Sequence, residues 1–178
     1  MAARERPLTD RIAALQAGVQ RVHARMPAVP VREVVLMRVL SLLGWEFTSG
    51  LDRRLRPHGL NDADFRTLMA LFSSPDGMAH PSELCHFVTQ SRTNMTRISD
   101  ALVARGLVTR TPSVEDRRRI VMRITAKGEA LVRKLLPRLY PILIALFAGF
   151  SARDKQTLET TLLRLAAALD AVEARKEA

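Results

Sequence analysis

Cysteine is nearly absent: Cys85 is the only one among 178 residues, which excludes an intramolecular disulfide. The N-terminus has no continuous apolar core of the kind a secretion signal needs, so a cytoplasmic protein is expected. The longest apolar run, Leu139 to Phe150, falls short of the roughly 20 residues that cross a bilayer. It reads as a buried interface, and no membrane partner is expected. The chain also lacks a Gly-rich phosphate loop, a nucleophile elbow and a paired metal motif, so neither an enzyme nor a cofactor is expected. His23, His58, His80 and His86 have no recognisable zinc spacing, although His80 and His86 could approach each other. They are expected to be surface or capping histidines, with no metal bound. Acidic residues are scarce as well: 18 Asp and Glu face 28 Lys and Arg, leaving a net charge of +10.

What is present is enough for one compact domain with extensions. A content of 47% hydrophobic residues excludes wholesale disorder, and no internal repeat is found. The positive charge favours a polyanionic partner, but basicity alone does not separate DNA, RNA and an anionic membrane surface. That choice needs a motif.

The stretch from Ser91 to Lys127 supplies it. Ser91 is suited to capping a helix N-terminus, with Asn94 at the third helical position and Gly106 as a left-handed stop. At 3.6 residues per turn Met95, Ile98, Ala101 and Leu102 share one face. Thr93, Thr96, Arg97 and Asp100 share the other, with Arg92 near its edge. Beyond Gly106, Leu107 to Thr111 and Arg119 to Ile124 have strand character, joined by a turn-rich tip from Thr111 to Asp116. Arg92, Arg97, Arg105, Arg110, Arg117, Arg118, Arg119, Arg123 and Lys127 are opposed only by Asp100, Glu115 and Asp116. About half of the excess charge can therefore come from this segment, a field suited to phosphates. Before it, a short helix from Pro81 to about Val88 and a tight turn at Thr89 and Gln90 complete a helix-turn-helix, with the basic hairpin as its wing.

The segment SRTNMTRISDALVARGLVTR, followed by EDRRRIVMRITAKG, resembles the winged helix-turn-helix of the MarR family of bacterial transcriptional regulators. It is most similar to the EmrR-type branch, whose members repress multidrug efflux operons. The core of the resemblance runs from about Leu60 to Gly128, with family-like helices on either side. It implies that the wing's Asp-x-Arg motif falls on Asp116 and Arg118, the arginine entering the minor groove and the aspartate helping to position it. It also implies a repressor that dimerises through N- and C-terminal helices, and an anionic or aromatic effector held between the DNA-binding lobe and the dimer helices. The family's peroxide sensors carry their reactive cysteine near the N-terminus, whereas Cys85 lies beside Leu84 on a short packed helix and reads as an inert buried thiol.

The flanks fit this frame. A helix is predicted from Thr9 or Asp10 to Pro27, a long one from Val31 to about Arg56, and a third, capped by Asn61 with Asp64, to about Phe72. The third should bury Phe65, Leu68, Met69 and Phe72. After the wing, Thr125 caps a helix running towards Gly149, in which Pro137 and Pro141 predict a kink or break. Ser151 with Asp154 caps a last helix to about Ala174, with Leu158, Leu162, Leu165, Leu169 and Val172 as its seam. The first and last two helices expose more apolar surface than a lone winged domain needs, so an intertwined homodimer is expected.

The expectation is therefore a mainly α chain with a small β wing, a single domain spanning 1–178. Residues 60–125 form the DNA-binding lobe, and 8–56 and 126–174 contribute dimerisation helices. Double-stranded DNA carrying a palindromic operator is the expected partner. Its expected contacts are Ser91, Arg92, Thr93, Asn94, Thr96, Arg97, Asp116, Arg117 and Arg118. An aromatic or amphipathic effector would meet Trp45, Phe47, Thr48, Met69 and Phe72, each of which also suits a plain core position. The competing reading is an architectural DNA-binding protein with little sequence preference and no effector. A metabolite-binding protein with incidental DNA contact is a weaker rival.

Overall fold

The computed structural model describes residues 6–113 and 119–175. Helix α1, Leu8–Arg25, starts earlier than Thr9, because the Pro7 carbonyl accepts the amides of Asp10 and Arg11 at 3.0 and 3.1 Å. Helix α2, Val31–Leu55, passes directly into a single 3-10 turn, Arg56–His58, which Gly59 closes at a φ of 67°. Helix α3, Asp62–Ser73, has the predicted cap: the Asn61 side chain accepts the Asp64 amide at 2.8 Å, and the Asp64 carboxylate accepts the Asn61 amide at 3.1 Å. Its buried stripe is Phe65, Leu68 and Leu71, with Met69 and Phe72 only half-buried. Phe65 and Leu68 are buried as expected, whereas Leu71, as fully enclosed as Leu68, takes the inner place expected of Met69 and Phe72.

A two-residue strand, β1 (Met78–Ala79), precedes α4 (Pro81–Phe87) and α5 (Arg92–Ala104). The hairpin strands β2 (Val108–Pro112) and β3 (Ile120–Ile124) follow. The sheet order is β1-β3-β2, antiparallel throughout, with Met78 opposite Arg123 and Arg110 opposite Met122. Sequence reading missed β1, because two residues are too few for alternation to register.

Helix α6, Ala126–Leu146, runs unbroken through Pro137 and Pro141, so the expected break is absent. Both prolines are exposed and lie one turn apart on the same side. The carbonyls that lose their amide partners can therefore be hydrated, and the helix continues. It stops before Gly149, in a turn at Phe147. Helix α7, Ala152–Ala174, begins at a capping box of Ser151 with Asp154, as predicted.

Burial is uneven along the chain. The core gathers Leu55, Leu60, Phe65, Leu68, Leu71, Leu84, Val88, Met95, Ile98, Leu102, Leu107, Val108, Met122, Ile124, Val132 and Leu135. No described residue of α7 is buried, and α1 buries only Val19. Large apolar side chains stay uncovered on α2 (Leu36, Met37, Trp45, Phe47), on the second half of α6 (Leu143, Ile144) and along the α7 seam. The stretch Val31–His58 has an 18-residue window of mean hydropathy 1.4, and is long and apolar enough by those measures to cross a bilayer. The expectation drawn from Leu139 to Phe150 had overlooked it.

Candidate nucleic-acid interface

Helix α4 is short and held at both ends. Pro81 occupies its first turn, where a missing amide proton costs nothing. The His80 amide donates to the Glu83 carboxylate at 2.9 Å, and His80 Nδ1 lies 2.9 Å from the Ile120 carbonyl oxygen, which ties the helix start to the wing. The other end turns sharply at Thr89, whose φ of 53° is the only positive value on a non-glycine residue among those described. The Gln90 amide then returns to the Cys85 carbonyl at 3.0 Å. A β-branched residue in the left-handed region is strained by about 1–2 kcal/mol, part of which glycine's extra chain entropy cancels. Thr89→Gly is therefore expected to raise stability by about 0.5–1 kcal/mol, read from the urea midpoint. A loss of stability would mean that the Thr89 side chain is itself needed.

Helix α5 has two distinct faces. Met95, Ile98, Ser99 and Leu102 are buried; Ser91, Arg92, Thr93, Thr96 and Arg97 are exposed. Ser99 takes the inward place expected for Ala101. Its hydroxyl donates to the Met95 carbonyl at 2.6 Å, with the Met122 sulfur, 3.1 Å away, as a second and weaker acceptor. Ser91 caps the helix as predicted, its hydroxyl accepting the Asn94 amide at 3.2 Å.

Asn94 is half-buried and held from both sides: its side-chain amide donates to the Gln90 side-chain oxygen Oε1, and its own oxygen accepts Arg97 Nε at 3.1 Å. This chain from the turn through Asn94 to Arg97 aims the Arg97 guanidinium. The Thr96 hydroxyl donates back to the Arg92 carbonyl at 3.1 Å, leaving its methyl group and oxygen lone pairs outward. Asp116, Arg117 and Arg118 lie outside the described residues.

Several cations counted from sequence as phosphate ligands have structural partners. Arg110 on β2 pairs with Asp100 and donates to the Thr96 carbonyl at 3.1 Å, clamping the wing onto the exposed edge of α5. The Arg105 guanidinium donates to the Gly59 carbonyl and, at 2.6 Å, to that of His58. Lys127 Nζ donates to the Arg105 carbonyl at 2.8 Å, and Arg123 to that of Asp76 at 3.0 Å. These groups still contribute field, but Arg110, Arg105 and Lys127 also hold α5 in place, and Arg123 ties β3 to the loop before β1. Arg110 lies on the same strand face as buried Val108 and opposite buried Met122, so it points toward α5 rather than outward.

The best-formed cavities among the described residues do not bring the five effector candidates together. Trp45, Phe47 and Thr48 are exposed on α2, with the Arg11 guanidinium 5.4 Å from the Trp45 ring centre and paired to Glu46. Phe72 lies beneath Arg133 at 5.1 Å and lines a cavity of about 340 Å³ that includes Arg123, Glu129 and Arg133 but none of the other four. Cys85 is half-buried against the core rather than fully enclosed. Among the described residues, no group of three or more His, Cys, Asp or Glu side chains is placed to hold a metal ion.

Comparison with known proteins bears on this arrangement. A family model described as the MarR family matches residues 58–119. The transcriptional repressor MprA of Escherichia coli K12 is 33% identical over 144 residues, covering 81% of this chain and 82% of that protein. AbsC, a MarR family transcriptional regulator from Streptomyces coelicolor, superposes with a TM-score of 0.72 at 23% identity, over 80% of this chain and 97% of its own. A mutant of Escherichia coli MarR crystallised with operator DNA gives 0.68 at 23% identity, over 78% and 99%.

Proposed function

Because this chain belongs to the MarR family and is a sequence-specific DNA-binding transcriptional regulator, we propose that it acts as a cytoplasmic, homodimeric repressor without enzymatic activity. In this reading α5 enters the major groove, and the wing reaches the neighbouring minor groove through Arg118, with Asp116 positioning it. Thr93, Thr96 and Arg97 face base edges or nearby phosphates, while Ser91 and Arg92 meet the backbone. The observation that carries this is the outward row from Ser91 to Arg97, backed by the buried face of α5 and braced by Arg110. Residues 60–125 then form the DNA-binding lobe, and 8–56 and 126–174 contribute the dimer helices. The uncovered apolar faces of α2, α6 and α7 are the surface a twofold copy would bury. The kinship with the repressor MprA supports the sign of regulation, and an aromatic or amphipathic effector would release the operator from an efflux or stress-response operon.

Hydroxyl-radical footprinting on the intergenic DNA upstream of its own gene tests this reading. Two protected patches with centres about 10 bp apart are expected on a palindrome. Uniform protection along the fragment would instead mark a protein that coats DNA. The dimer has its own test at Leu162, 43% exposed on the α7 seam. Leu162→Glu places a charge in the proposed seam and should convert dimer to monomer at micromolar concentration in sedimentation velocity. An unaltered dimer would remove α7 from the interface.

A further inference from the structure

Between the C-terminal end of α5 and the first turns of α6 lies a cavity of about 490 Å³, within the roughly 300–1,000 Å³ usual for small-molecule sites. Its floor is aliphatic, made by Leu107, Ala130 and Leu131, and its rim carries Arg105, Lys127 and Lys134. No carboxylate lines it, and among the described residues none of the three cations pairs with one. None of Trp45, Phe47, Thr48, Met69 and Phe72 contributes to it. An apolar trough rimmed by unneutralised cations is complementary to a molecule with an apolar body and a single anionic end. The lack of an aromatic lining residue favours an aliphatic body over one that must stack.

We propose that this cavity is a binding site for an aliphatic monocarboxylate. The chain lies on the aliphatic floor and the carboxylate meets Lys134, Lys127 and Arg105. Two of these cations already hold backbone carbonyls: Arg105 those of His58 and Gly59, and Lys127 that of Arg105. A carboxylate makes stronger, charge-assisted hydrogen bonds than a neutral carbonyl, so the occupant competes for these donors. What it loosens is the tie between the end of α5 and the turn after α2. Occupancy thereby lowers DNA affinity, a consequence that rests on the reading of α5 as the recognition helix.

Isothermal titration calorimetry on the full chain, with decanoate as probe and decanol as its uncharged counterpart, tests the site without DNA. Decanoate should bind saturably, at least about tenfold more tightly than decanol. Lys134→Glu, which reverses the rim charge, and Ala130→Phe, which fills the trough, should each weaken decanoate at least about tenfold. Lys134 and Ala130 are both exposed, so unchanged thermal unfolding should accompany both substitutions. Absence of saturable binding, or binding that neither substitution alters, would overturn the proposal. In a parallel DNA titration, decanoate should weaken the wild-type complex several-fold and leave that of Lys134→Glu unchanged. Calorimetric binding by a chain that bound no DNA would leave the site standing and remove the regulator reading. DNA binding without calorimetric binding would do the reverse.

Discussion

Replacing Gly128 with alanine is expected to lower the folding free energy by about 3 kcal/mol or more, the largest effect of any single methyl group in this chain. A Cβ there would lie 2.3 Å from the Leu107 carbonyl oxygen and 2.8 Å from Ile124 Cγ1, and neither can retreat cheaply. The same carbonyl accepts the Thr125 amide at 3.0 Å, and the Thr125 hydroxyl both donates to Gly106 at 2.8 Å and caps α6 through the Gly128 amide at 3.1 Å. Overpacking typically costs about 1–3 kcal/mol, and the strained hydrogen bonds add about 1 kcal/mol each. Gly106→Ala is the control: its φ of 66° carries a left-handed cost of about 1–2 kcal/mol, but nothing lies within 4 Å of its Cβ. Urea unfolding of the two variants decides the matter. If Gly128→Ala were no more costly than Gly106→Ala, α6 would not be seated on the Leu107 backbone as described. The joint also matters for function, because Gly106 and Leu107 directly follow α5, and α6 leads away to the proposed dimer surface.

Arg97→Ala should produce the largest change in DNA recognition among the described residues. Asn94 holds Arg97 Nε at 3.1 Å and is itself anchored to Gln90, so the guanidinium is preorganised rather than free. If that fork reads a guanine, its loss should cost about 1–3 kcal/mol against the preferred duplex and flatten discrimination at one base position. Asn94→Ala should reproduce part of that loss while leaving the Arg97 charge in place. Arg92→Ala should instead weaken all duplexes alike and reduce the salt slope by about one. Anisotropy titrations against duplexes varied at single positions separate these outcomes. Uniform loss for Arg97→Ala would reassign it to phosphate. Arg118→Ala should likewise weaken binding on most sequences, because a wing arginine in the minor groove adds affinity with little base information.

Much of this was legible in the sequence because it is local. Ser91, Asn61, Thr125 and Ser151 mark helix starts through a side chain and an amide a few residues apart, and all four caps form. The two faces of α5 follow from the helical period, apart from Ser99, a polar residue whose burial is allowed by donation to the Met95 carbonyl one turn back. What stayed hidden depends on long-range contacts. β1 exists only through pairing with β3, and the Arg105 carbonyl ligands lie 46 and 47 residues earlier in the chain. That α6 is not broken at its prolines was hidden for a different reason: a proline's cost depends on whether the orphaned carbonyl faces core or water, and a helical pattern gives that only weakly.

The most direct test of the central claim is fluorescence anisotropy of the purified chain titrated against its own upstream intergenic DNA and a scrambled duplex. It is best run at about 150 mM salt, where screening suppresses weak phosphate attraction. A sequence-specific regulator should prefer its operator by at least about 1,000-fold, a preference carried by the outward face of α5. Equal affinity for both duplexes, or binding to neither, would contradict it.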